Sequence, residues 1–404
     1  MRPAFAPRRI VLCVASLGSL GILPTFGSTF ASATSGNADP NGGHDSQPPF
    51  HVSEVLSGGS LHHTFTPVGS AVAKTEPLSH PDDITRLGDD LFVGFQNGVG
   101  PHGQASTDGN LDSTVVELGL TGHVIGQWDI AGKADGVTAD PASGGVIATV
   151  NEDADSALYT IRPLATSAAA VVTRYTYSEV LPHGGGTDAI TIYNDQILIS
   201  ASAPGTNGLP APQPTYPAVY VVTLEPTTKI AKISPLFSDE DVATVANVNS
   251  AQFGKSTTLA LTDPDSNEVV PSDSPRFGGD FMLTSQGDLQ QIYVSDAGSS
   301  HQRLAVLSLS QSVDDTAWAT EGDGWLYSTD STNDAVDVVT GPFTNGSPFV
   351  VATPCGSNAA PGTCPAPGFP ANYLATLNPW TGKVTEVTVE GAPYVPQGGL
   401  VFVP

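Results

Sequence analysis

The chain has 404 residues, 39% of them hydrophobic, and carries 40 acidic against 14 basic side chains, a formal charge of −26. Such a surface repels phosphate backbones and anionic headgroups, which argues against nucleic-acid and membrane partners, and it attracts cations. No P-loop, G-x-S-x-G turn or H-E-x-x-H pair occurs, so nucleotide, serine-hydrolase and metalloprotease chemistry find no support.

The first element in the chain is an export signal. Arg2, Arg8 and Arg9 precede an apolar stretch from Ile10 to about Leu23, and small residues follow, ending in Ala31-Ser32-Ala33. This is the pattern of a cleaved secretory signal over residues 1–33; the stretch is short and interrupted by Gly18, Gly21 and Pro24, which speaks against an anchor. Losing its three arginines leaves 11 basic residues against 40 acids, a charge of −29 on a protein read as secreted and monomeric. Residues 34–49, "TSGNADPNGGHDSQPP", have almost nothing to bury and are expected to be a disordered tether. The folded domain is then 50–404.

That domain is repetitive. The stretches "PDDITRLGDDLFVGFQ" (81–96), "ADGVTADPASGGVIATVNE" (134–152), "TDAITIYNDQILISAS" (187–202) and "VDDTAWATEGDGWLYSTDS" (313–331) each place an acid before an apolar strand, a Gly/Asp/Asn turn and a second strand. The first three recur at intervals of 52 and 53 residues, and a further hairpin usually follows each. Two hairpins per period make a four-stranded blade, so the expectation is an all-β propeller. Inner strands are placed after Asp83, Asp135, Asp188, roughly Asn247, Asp315 and Gly399, which makes six blades; if "GGDFMLTSQGDLQQIYVSDAG" (278–298) opens its own blade, the number is seven. The lone strand "QGGLVFVP" (397–404) and the hairpin at 50–69 are expected to complete one blade and close the ring.

In such a ring the acids that open the inner strands converge on the channel mouth. Asp83, Asp135, Asp188 and Asp315 are the candidate metal ligands, and Asp82, Asn151, Glu152, Asp314, His80 and His183 the candidate ligand-binding residues around them. Carboxylates about 6 Å apart repel by roughly 2.8 kcal/mol at an effective dielectric near 20. A cation, raised pKa values or wider spacing must therefore relieve the ring, unless each Asp simply caps its own turn. Oxygen-only ligands select Ca²⁺ first, Mg²⁺ second and Zn²⁺ last. Alternatively, His80, His102 and His183 could supply a base or nitrogen ligands.

Openings such as "ADGVT" and "TDAIT" resemble those of the gluconolactonase/senescence-marker-protein propellers and, more loosely, NHL-type propellers. The resemblance implies a divalent cation, typically calcium, at the channel mouth, and carries over to Asp83, Asp135, Asp188 and Asp315. The chain departs from that pattern in having no clear glutamate at these openings and no clean acid at the fourth.

Near the C-terminus, Cys355 and Cys364 remain as an even pair in a Pro/Gly-rich loop and are expected to form a disulfide. Trp128, Trp318, Trp325 and Trp380 are read mainly as packing between blades. Two functions stay open. One is a secreted binding propeller with a cation at its acidic mouth, its ligand a small molecule, a carbohydrate or a protein; the other is a metal-dependent hydrolase of a small lactone or ester.

Overall fold

A computed structural model describes residues 50–165, 167, 171–181, 186–203, 215–356, 364 and 370–404. The signal (1–33), the tether (34–49) and His183 lie outside the described residues.

Short Val-, Ile- and Thr-rich runs bounded by turns make strands, and these assemble into six blades, five of four strands and one, the fourth, of six. The inner strands are Pro81–Leu87, Ala134–Asp140, Thr187–Tyr193, Pro264–Val269, Val313–Ala319 and Leu400–Val403. Each touches the next and the last touches the first, so the ring closes with six blades. Cores lie between neighbouring blades. Phe92 and Val115 of blade one pack on Val137, Ala148 and Tyr159 of blade two, and Met282 and Tyr293 of blade four pack on Trp318 and Val350 of blade five. Trp318 is thus buried as expected, whereas Trp325 and Trp380 are exposed. Among the described residues no helix is long and apolar enough to cross a membrane.

Three expectations are corrected. The fourth inner strand is Pro264–Val269, not a strand after Asn247. Residues Val242–Val245 and Ser256–Thr258 instead extend the outer edge of blade four, where Asn247 bonds Ser308 and the Thr381 carbonyl of blade five. The stretch 278–298 supplies the second and third strands of that blade, which is why the count stays at six.

The 313–331 repeat is not a hairpin either. Val313–Ala319 is the inner strand of blade five and pairs with Ser347–Ala352, while Trp325–Asp330 belongs to blade six and pairs with Leu400–Val403. Blade six therefore runs Leu400–Val403, Trp325–Asp330, Ala335–Thr340, His51–Ser57, with the two ends of the domain at its inner and outer edges. The expected hairpin at 50–69 is split as well, since His62–Phe65 pairs with Lys74–Pro77 outside the blades. Cys355 and Cys364 form a disulfide.

Candidate functional site

The acidic openings are β-bulges. In five inner strands two residues face one on the partner strand, between Pro81 and Ile84, Ala134 and Val137, Thr187 and Ile190, Pro264 and Asn267, and Val313 and Thr316. A bulge re-aims side chains that regular alternation would send to opposite faces. The first bulge residue is an aspartate every time: Asp82, Asp135, Asp188, Asp265 and Asp314. Gly398 holds the corresponding place in blade six, where Gln397 and Gly399 bracket Thr329 by backbone bonds.

These first positions form the ring. The ring acids' own backbone is held by hydroxyls of preceding blades: Thr149 donates to the Asp188 carbonyl at 2.6 Å, Ser200 to that of Asp265 at 2.9 Å, Ser266 to that of Asp314 at 2.6 Å, and Thr329 to that of Asp82. Asp82, Asp188, Asp265 and Asp314 line both a polar cavity of about 590 Å³ at the mouth and a smaller one of about 60 Å³ inside the channel. The larger has the volume of a small-molecule site.

Second bulge positions do different work. Asp83 Oδ1 accepts its neighbour Ile84 N–H at 2.7 Å, and Oδ2 accepts Val137 N–H of blade two at 2.6 Å. Asp315 accepts Leu400 N–H of blade six. Both staple one inner strand to the next, and both line the inner cavity only. Elsewhere this position must be small. A Cβ on Gly136 would stand 2.8 Å from Ala189 Cα, and one on Gly399 2.8 Å from Ile84 N.

The four candidate metal ligands therefore belong to two sets, Asp135 and Asp188 at the first position and Asp83 and Asp315 at the second. Among the described residues no three His, Cys, Asp or Glu side chains are grouped as a ready metal centre; the acids form a ring, not a cluster.

Electrostatics follow from burial. It pushes Asp82 up to about 7, with Asp314 and Glu152 adding repulsion and Lys133 opposing it. Burial likewise holds Asp188 and Asp265 well above the usual carboxylate range, reinforced by Glu152 for the first and Asp314 for the second. Asp135 is raised by burial against the pull of Lys133. Deeper in, burial takes Glu268 to about 7.

The remaining candidates divide. Glu152 lines the mouth cavity and its N–H bonds Asp135 Oδ2 at 3.1 Å. Asn151 turns the chain in a left-handed conformation, and its Oδ1 accepts Lys133 N–H at 2.9 Å. His80 was expected at the mouth but lines a separate groove beside Asp334, whose Oδ1 takes its N–H. Its own left-handed backbone before Pro81 carries it away from the ring.

Asp265 was not placed at an inner-strand opening, and Glu268, Asn267 and Lys133 were not anticipated as members. Counting one repeat back from Asp314 gives 49 residues to Asp265, the signal that would have found the first.

No protein-family model and no curated protein matches this chain. Among solved structures it is similar to a periplasmic gluconolactonase of Pseudomonas aeruginosa (15% identity, 88% of this chain and 99% of that one, TM-score 0.40). It is also similar to a Bacteroides thetaiotaomicron protein of unknown function (11%, 87% and 70%, 0.44) and a Synechocystis apocarotenoid oxygenase mutant (10%, 86% and 71%, 0.37). These likenesses are too distant to bear on chemistry, and the propeller is established by its own closed ring of inner strands.

Proposed function

We propose that this propeller is a secreted binding protein whose acidic channel mouth takes a hard divalent cation, Ca²⁺ before Mg²⁺, on the floor of its ligand cavity. The observation that carries the reading is the recurrence of aspartate at one bulge position in five of six blades. A turn-capping role would not need the same residue to face the same cavity each time. The donor set fits such an ion, because it is oxygen-only, partly withdrawn from water and short of positive charge. Asn267 adds a neutral oxygen: its Oδ1 is buried without a hydrogen-bond partner and the residue lines the inner cavity. A ring this open would leave water in part of the ion's shell, as hard cations accept. Export is supported by the arginine-led apolar N-terminus together with the disulfide.

One observation favours a second reading, hydrolysis of a lactone or ester. Asp82, lining both cavities with a pKa near neutrality, is suited to take a proton from water. A bound cation would supply carbonyl polarisation.

Chelation tests the cation. At neutral pH, treatment with a chelator should lower the melting temperature by several degrees and Ca²⁺ should restore it. An unchanged melting curve would count against any ion at the mouth. Turnover of lactones or esters that appears with Ca²⁺ and disappears in Asp82→Asn would move the protein to the second reading.

A further inference from the structure

The mouth already holds one cation of its own. Lys133 ends the connection from blade one to blade two, and its Nζ lies 2.8 Å from Asp135 Oδ1 and against Glu152 Oε1. Its position is built rather than incidental. The Asn151 carboxamide fixes the Lys133 backbone N–H, and the preceding Gly132, at φ +112°, passes so close that a Cβ would stand 2.6 Å from that same Asn151 oxygen. Glu152, next in sequence to Asn151, closes the other side of the ammonium. Away from the ammonium, Asp188 in the adjoining blade three, and Asp265 and Asp314 in the blades beyond it, make no ion pair among the described residues. The buried, unpartnered Asn267 Oδ1 belongs with these acids, since its Nδ2 donates to the Ala189 carbonyl at 2.8 Å, next to Asp188.

We infer that Lys133 is the resident counter-ion of the mouth: it occupies the Asp135–Glu152 sector, confines an incoming cation to the Asp188–Asp265–Asp314 sector, and sets the affinity with which that cation is held. This rests on the cation reading above and divides the ring into a filled and an open half. A fixed positive charge inside the ring opposes any second one, so the mouth is tuned to weak, exchangeable binding. It also assigns the ligands differently from a symmetric ring, with Asp265 essential and Asp135 dispensable.

Calorimetric titration of the whole mature protein with CaCl₂ tests this. Lys133→Gln should bind Ca²⁺ at least about tenfold more tightly than the wild type, and Lys133→Arg, which keeps the charge, should not. Asp265→Asn should weaken binding at least about tenfold in the wild-type background, where Asp135→Asn should change it less than about twofold. In the Lys133→Gln background Asp135→Asn should become costly, because the vacated sector then serves the ion. Metal-free melting curves check that each variant is folded, and the Asp265→Asn and Asp135→Asn pair decides the matter even if Lys133→Gln is not. Wild-type binding that Lys133→Gln leaves unchanged, or that Asp135→Asn damages as much as Asp265→Asn, would overturn the inference and leave the cation reading standing. No binding by any form would remove both.

Discussion

Asp83→Ala is expected to cost roughly 2–4 kcal/mol of stability in denaturant unfolding, while Asp82→Ala, one residue away, costs little or stabilises. The difference lies in what each carboxylate does. Asp83 spends both oxygens on backbone N–H groups, one of them Val137 in the neighbouring blade, and its removal leaves a buried donor unpaired at a blade seam. Leaving a buried backbone donor unpaired costs about 1–3 kcal/mol, offset in part here because burial, with the repulsion of Asp82 and Glu268, holds the Asp83 carboxyl well above the usual carboxylate range. Asp82 instead bears the repulsion of Asp314 and Glu152 with little backbone bonding to lose. Equal effects of the two substitutions would show that staple and ring positions are not distinct.

The metal-free protein should be more stable at pH 5 than at pH 8. Most acids stabilise a fold in their ionised form, but here burial raises Asp82 and Glu268 to about 7 and Asp263 to about 6, from ordinary values of 3.8, 4.5 and 3.8. The folded state then binds more protons than the unfolded one between about pH 4 and 7, so stability falls as pH rises through that window. A carboxyl shifted from 3.8 to about 7 contributes at most on the order of 4 kcal/mol to this slope, and less here because Asp82 is only partly buried at the wet mouth. Calcium should flatten the dependence, because protons and the ion compete for the same oxygens. A melting temperature that rises from pH 5 to pH 8 without metal would show that the ring is better solvated than its burial implies.

Local chemistry made much of this fold legible. Asp83, Asp135 and Asp188 recur at 52 and 53 residues because each marks the start of one blade, and that period carries the propeller. Blade four was misplaced for two physical reasons. The Val242–Val245 and Ser256–Thr258 strands insert an edge hairpin that breaks the period, and the inner strand itself, "PDSNEV", is too polar to read as a core strand. The split of 313–331 between two blades depends on which distant strand each half pairs with, Ser347–Ala352 or Leu400–Val403, and no local residue encodes that choice.

At the site, the doubled acids were visible, but their division of labour was not. Alternation predicts that Asp82 and Asp83 face opposite ways, and only the bulge brings both to the channel while giving one the cavity and the other the neighbouring strand. Lys133 was passed over because a lysine two residues before Asp135 looks like any solvated loop cation until Glu152 folds over it.

The central claim, a hard cation held by the first bulge position, is tested most directly by titrating chelator-treated protein with CaCl₂ in a calorimeter, alongside Asp188→Asn. The account predicts saturable binding by the wild type, stronger for Ca²⁺ than for Mg²⁺, and a loss of at least about tenfold in Asp188→Asn, whose metal-free form melts no lower than the wild type. Absence of binding heat, together with a lower melting temperature for Asp188→Asn, would show instead that the ring acids are there to hold their turns.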